Sequence, residues 1–246
     1  MTIKIIYTTL VLTAVISGNY LQASGAGDDF SSAIATLQSD AGSFKKMSAA
    51  RDVLASKTAP EEIQEEVRAI LHKLALHEDT TAQFFDKLPL QHRFGPDTTQ
   101  EDADKLANTQ TLEQIMFADT LLEFVSPEDP RKADVLAKLY QIMGSPRSNP
   151  KNPYLQSSAA QKFLDYADLG DARRESALHT CHFVLINPDL YRVSLLSLNV
   201  VEAVLKHTDL DDARRSDAYS FARSVEGRFP YQVHKILEGY PELASK

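Results

Sequence analysis

The chain has 246 residues, 43% of them hydrophobic and 24% charged, with a formal net charge of −8. That balance supports a sizeable core and argues against wholesale disorder. The acidic excess, with no run of Lys or Arg longer than two, argues against nucleic acid or an anionic membrane surface as partner, since both need a basic face.

Residues 1–26 read as a secretory signal peptide. Lys4 is followed by an uncharged run from Ile5 to Ile16, a break at Ser17-Gly18-Asn19, and small residues at Ala23, Ser24, Gly25 and Ala26. The run is shorter than the roughly 20 residues a spanning helix needs, so a cleaved leader fits better than an uncleaved anchor. Cleavage after Ala26 puts Ser24 and Ala26 at the small-residue positions; cleavage after Ala23 is the alternative. No Cys follows the run, so a lipoprotein anchor is not expected. Residues 27–246 are then a mature domain exported to a periplasm or the outside, with no membrane span left.

From Asp28 onward apolar residues recur at spacings of three and four, the mark of amphipathic helices. Phe30, Ile34 and Leu37 outline the first, and Phe44, Met47, Ala50, Val53 and Leu54 the second. Thr58-Ala59-Pro60-Glu61-Glu62 is a helix start, with Pro and acids in the first turn, and Ile63, Val67, Ile70, Leu71 and Leu74 follow as its buried stripe. Residues 78–108 are less regular, with Leu88-Pro89-Leu90 and Phe94-Gly95-Pro96 expected as loop. Helices are expected over Leu112–Val125 and Pro130–Met143, and Gly144 to Pro153 is the longest expected loop. Further helices are expected near Ser157–Tyr166, Asp171–Ile186, Ser194–His207, Asp212–Val225 and Pro230–Leu237. The stretch from Leu195 to Leu205 is apolar nearly all round and must be covered on several sides. With only 9 Gly and no run of clean strand alternation, the fold class is all-α.

The later helices repeat. Asp168-Leu169-Gly170-Asp171-Ala172-Arg173-Arg174 recurs 41 residues on as Asp209-Leu210-Asp211-Asp212-Ala213-Arg214-Arg215. The register continues: Leu164 with Leu205, Ala177 with Ala218, Cys181 with Ala222, Val184 with Val225. An offset of 42 leads back to Leu122, Asp129-Pro130-Arg131-Lys132, Val135, Leu139 and Ile142, and one of 68 leads on to Leu54, Val67, Leu71 and Leu74. Since 68 is twice 34, a degenerate copy between them, with Leu88 and Pro96 at its expected points, is a further expectation. Two-helix periods of this length imply a stacked helical array.

Leu205 to Ala218 (LKHTDLDDARRSDA) resembles the HEAT and armadillo repeats, in which a helix ends in a leucine, an acidic turn follows and an Arg opens the second helix. Asp171 to Ala177 is similar, and Asp129 to Lys132 more distantly. The resemblance implies a right-handed α-solenoid of about five stacked antiparallel helical pairs. It also implies that Asp171 with Arg173, and Asp212 with Arg214, form a ladder joining neighbouring repeats.

Chemistry is sparse. Glu175, His179 and His182 share one helical face, a set that could contribute to a Zn²⁺ site and so to a metal-dependent hydrolase, but a second helix would have to supply another ligand. The repeat register gives Ser216, Ser220 and Arg223 at the equivalent places. No Gly-x-Ser-x-Gly elbow, phosphate-binding Gly loop or dinucleotide fingerprint is present. Cys181 sits on a core stripe and is expected as a small buried hydrophobe. The leading expectation is a non-enzymatic scaffold without cofactor, binding a protein or peptide on the concave face lined by second helices. Tyr140, His182 and Arg223 would lie there one repeat apart, with Lys138 and His179 nearby.

Overall fold

The computed structural model describes residues 30–76, 100–144, 153–187 and 195–243. The expected signal peptide, the loops expected between residues 78 and 99, and most of the expected loop before Pro153 lie outside these.

The described residues form ten α-helices and no strand: α1 (Phe30–Gln38), α2 (Ser43–Leu54), α3 (Glu61–Leu76), α4 (Gln100–Phe124), α5 (Pro130–Gly144), α6 (Pro153–Tyr166), α7 (Arg174–Ile186), α8 (Leu195–His207), α9 (Ala213–Val225) and α10 (Pro230–Glu238). A 3-10 turn, Pro241–Leu243, follows. None of these helices is long and apolar enough to cross a membrane.

Most starts fall where the sequence places them. One correction concerns α4, which begins at Gln100 rather than near Leu112. The segment Gln100-Glu101-Asp102-Ala103-Asp104 has no apolar stripe to betray it. It does consist of tolerated helix residues without Gly or Pro.

Each helix packs on the next and on the next but one. Even-numbered helices α2, α4, α6, α8 and α10 thus touch in succession, as do α1, α3, α5, α7 and α9. The repeat register is a register of burial. Val67, Val135, Ala177 and Ala218 are equivalent by offset, and each is fully enclosed at 0% exposure. Leu71, Leu139, Cys181 and Ala222 form a second buried series, and Leu54, Leu122, Leu164 and Leu205 a third. The first two series shrink toward the C-terminus, from Val to Ala and from Leu to Ala, so the later helices can approach more closely.

Helix α8, apolar on most sides, is enclosed by α6, α7, α9 and α10, as its composition requires. Leu198, Val200, Val201, Ala203, Val204 and Leu205 are all buried. Helix α2 packs on α4 and α3 on α5; the degenerate middle copy expected around Leu88 and Pro96 lies outside the described residues.

Truncating the enclosed leucines should leave cavities. Leu164→Ala and Leu205→Ala are each expected to cost about 2–5 kcal/mol in denaturant unfolding. Leu169→Ala, at a site 90% exposed, should stay within about 0.5 kcal/mol.

Candidate functional site

Three equivalent aspartates open the odd-numbered helices α5, α7 and α9. Asp129, Asp171 and Asp212 each accept a hydrogen bond from the backbone N–H two residues on, at 2.9 Å, satisfying a donor that the first helical turn leaves open. The Arg at that second position then folds back onto the same carboxylate: Arg131 at 2.7 Å, Arg173 at 2.7 Å and Arg214 at 2.6 Å. These hydrogen bonds hold all three carboxyls below the usual aspartate range, against the opposing pull of partial burial.

Two of these arginines also reach the preceding unit. Arg131 meets Glu65 of α3 at 2.7 Å and 3.0 Å, and Arg214 meets Glu175 of α7 at 2.8 Å and 3.2 Å. Both are two-pronged guanidinium–carboxylate contacts. Glu65 and Glu175 are equivalent through the offsets, and the position between them is Ala133. With no acid there, Arg173 turns to aromatic rings, lying 5.7 Å from the centre of Tyr140 and 5.0 Å from that of Phe163. The resemblance implied that Asp171 with Arg173, and Asp212 with Arg214, form a ladder joining neighbouring repeats. Each Asp–Arg pair is local to one helix start, and of these three arginines Arg131 and Arg214 also reach a carboxylate of the preceding odd-numbered helix.

A second set of rungs was not read from the sequence. His182 Nε2 lies 2.8 Å from Asp217 of α9, and His72 Nε2 lies 3.3 Å from Asp134 of α5, close enough for ion pairing but without hydrogen-bond geometry. His72, Tyr140, His182 and Arg223 are one series by offset, so the row expected to receive a ligand largely joins or braces the units. Tyr140 packs on Phe163, with ring centres 6.0 Å apart. Arg223 bonds Tyr219 Oη at 3.1 Å and Glu226 at 2.9 Å. Lys138 is half-buried and His179 is exposed.

Glu175 is engaged with Arg214 and His182 with Asp217, so two of the three residues of the zinc alternative are already paired. Among the described residues no group of three or more His, Cys, Asp or Glu side chains is arranged to hold a metal ion. Cys181 is enclosed, its thiol 3.8 Å from the Ser157 carbonyl, and burial pushes it up to about 12, far from a thiolate nucleophile at neutral pH.

The second Arg of each pair has a different task. Arg174 donates through Nη1 to the carbonyls of Leu164 at 2.8 Å and Ala167 at 2.9 Å. Arg215 does the same to Leu205 and, at 3.0 Å, to Thr208. These acceptors are equivalent by the 41-residue offset, and they are carbonyls that a helix end leaves unpaired. Arg174 Nη2 also lies 3.2 Å from His207 Nδ1, while His207 Nε2 lies 3.1 Å from Asp165, which takes Lys206 at 2.6 Å as well. A guanidinium only donates, so this geometry assigns Nδ1 as acceptor and puts the ring proton on Nε2, facing Asp165. Burial raises the Asp165 carboxyl, but the bonds from His207 and Lys206 outweigh it and the net direction is down.

No protein-family model, curated protein or solved structure matches this chain.

Two measurements follow. Arg174→Met should cost about 1–3 kcal/mol by leaving buried carbonyls without a donor, whereas a double-mutant cycle on the exposed Glu175–Arg214 pair should give about 0.2–1 kcal/mol. Asp129, Asp171 and Asp212 titrate lower folded than unfolded, so their contribution is present above the ordinary value near 3.8 and is lost as pH falls through the depressed folded values. The triple Asp→Asn variant should therefore show a shallower loss of stability below that pH than the parent, in urea melts taken at successive pH values.

Proposed function

We propose that this protein is an interaction scaffold built as an α-solenoid of the HEAT or armadillo kind, acting after export. The observation that supports it most is the packing of each helix on its next and next-but-one neighbours, with buried positions that recur at offsets of 41, 42 and 68 residues. An array of this kind is elongated and offers a run of equivalent surface positions, which suits recognition of another protein or a peptide. The paired, rung-like roles of Glu65, Glu175, His72 and His182 support a frame held rigid between units, and rigid frames bind with little ordering cost.

Within this reading four helical pairs, α2/α3 to α8/α9, carry the array, with α1 and α10 at its ends. Residues 1–26 are the export signal, and the mature chain works in a periplasm or outside the cell.

The test uses the whole chain, expressed in a cell that exports it, as bait with a zero-length cross-linker. A retained protein partner is expected, with cross-links that spread over equivalent positions of at least two consecutive helical pairs. Cross-links confined to a single helical pair would contradict the array as the recognition surface. A chain recovered wholly inside the cell with residues 1–26 intact would contradict the export assignment.

A further inference from the structure

Among the described residues, two buried side-chain polar atoms lack a hydrogen-bond partner, His72 Nε2 and Arg215 Nε. His72 Nε2 still faces Asp134 at 3.3 Å. Arg215 Nε belongs to a permanently charged side chain that is 5% exposed, where an unmade hydrogen bond is most costly. Nε and Nη2 form the side edge of a guanidinium, a fork that matches the two oxygens of one carboxylate. Arg131, Arg173 and Arg214 each use that edge in full, with Nε and Nη2 together on their own aspartate. Arg215 uses half of it. Its Nη2 takes Glu242 Oε1, and its Nε takes nothing.

What closes this guanidinium differs from what closes its equivalent one unit earlier. Arg174 and Arg215 are both buried, and both give Nη1 to helix-end carbonyls. The Nη2 of Arg174 meets His207, part of the 13-residue helix α8. Arg215 is closed instead by the last described residues of the chain. The Tyr240 ring lies over it, its centre 5.4 Å away, and Glu242 comes from the three-residue turn Pro241–Leu243. Leu243 is the buried anchor of that turn, whereas Pro241 is exposed and the Glu242 side chain is 38% exposed. The same guanidinium is thus sealed by a packed helix in one unit and by a short terminal turn in the last.

We propose that the Nε/Nη2 edge of Arg215 is a carboxylate-binding site that Glu242 closes as an internal ligand. Its external ligand is a segment of a partner protein in which an acidic residue is followed by a large aliphatic one. The proposal rests on the scaffold reading above and places one specific contact at the C-terminal end of the array.

The chain's own Glu242-Leu243 pair defines that ligand: the carboxylate goes to the guanidinium, and the aliphatic side chain goes to the place Leu243 fills. Displacement exchanges one carboxylate for another, so the buried cation is never left unpaired. An incoming acid that meets both Nε and Nη2 makes one hydrogen bond more with Arg215 than Glu242 does. Because Glu242 competes from within, apparent affinity is reduced by the fraction of chains whose turn is closed. Removing the internal acid, or loosening its anchor, therefore raises it.

The test titrates the whole chain with the synthetic peptide Tyr-Pro-Glu-Leu-Ala, blocked at both ends, while the Nε–H resonances of Arg215 and Arg174 are followed by NMR. Glu242→Gln is expected to bind it at least tenfold more tightly than the parent, with the Arg215 signal moving to saturation. Leu243→Ala, which keeps the acid but loosens its anchor, should also bind more tightly than the parent. The Arg174 signal, closed off by α8, should stay in place, and the peptide with glutamine for glutamate should not bind. Equal affinity in the parent and both variants, or binding that leaves the Arg215 signal unmoved, would overturn the proposal. So would acetate binding as tightly as the peptide, because the aliphatic residue would then contribute nothing. A dimer of the parent seen by sedimentation and lost in Glu242→Gln would assign the site to the turn of a second copy and overturn a foreign ligand. A cross-linked protein partner that binds the parent and both variants alike excludes this site while the scaffold stands. A bait that retains no partner overturns the scaffold reading, and the partner proposed here with it.

Discussion

A pair of helices joined by a short turn cannot enclose its own apolar side. Everything else in this chain follows from how that side is covered. Val67, Val135, Ala177 and Ala218 are each fully enclosed, and each lies on a helix that packs against the next but one along the chain. Burial on that scale is the main favourable term in folding. The buried side chains form one continuous cluster from Leu37 to Leu243, and under the proposed stacking stability is expected to behave as a sum over neighbours. Polar contacts decorate these junctions without replacing the burial, since exposed pairs of the Glu175–Arg214 kind contribute little on their own.

The junctions are variations on one plan. Between α3 and α5, and again between α7 and α9, an acid meets an Arg and a His meets an Asp. Between α5 and α7 the acid has become Ala133 and the His has become Tyr140, and Arg173 lies over aromatic rings instead. The substitution is coherent: a guanidinium without a carboxylate finds the negative face of a ring. Arg174 and Arg215 do the same job twice, tying the end of one helix to the start of the next through carbonyls that would otherwise be buried without a partner. His207 joins that tie to Asp165 and so links α6, α7 and α8.

Much of the frame could be read from residue spacing. The all-helical class, most helix starts, and the register Leu54–Leu122–Leu164–Leu205 were visible because apolar periodicity and short offsets survive in one sequence. The early part of α4 was not, because Gln100 to Asp104 is polar and helical propensity alone gives no stripe. Glu65 and Asp217 were missed as rung partners, since their mates Arg131 and His182 stand 66 and 35 residues away, at distances set by which helices touch. Tyr140, His182 and Arg223 align with one another by offset, but spacing cannot tell an outward side chain from one already engaged by a neighbour. Leu169 and Leu210 carried a legible periodicity, while their exposure depended on the turn standing clear of both helix rows.

The adjacency of successive units is open to a direct distance measurement. Cys181 is fully enclosed and its thiol is pushed up to about 12, so spin labels placed through Leu169→Cys and Leu210→Cys would react selectively at the turns. Helices packed side by side put those turns about 8–10 Å apart at the backbone, and the doubly labelled chain should then show strong dipolar broadening absent from either single label. Spectra of the double variant equal to the sum of the singles would contradict the stacking of neighbouring helical pairs on which the account stands.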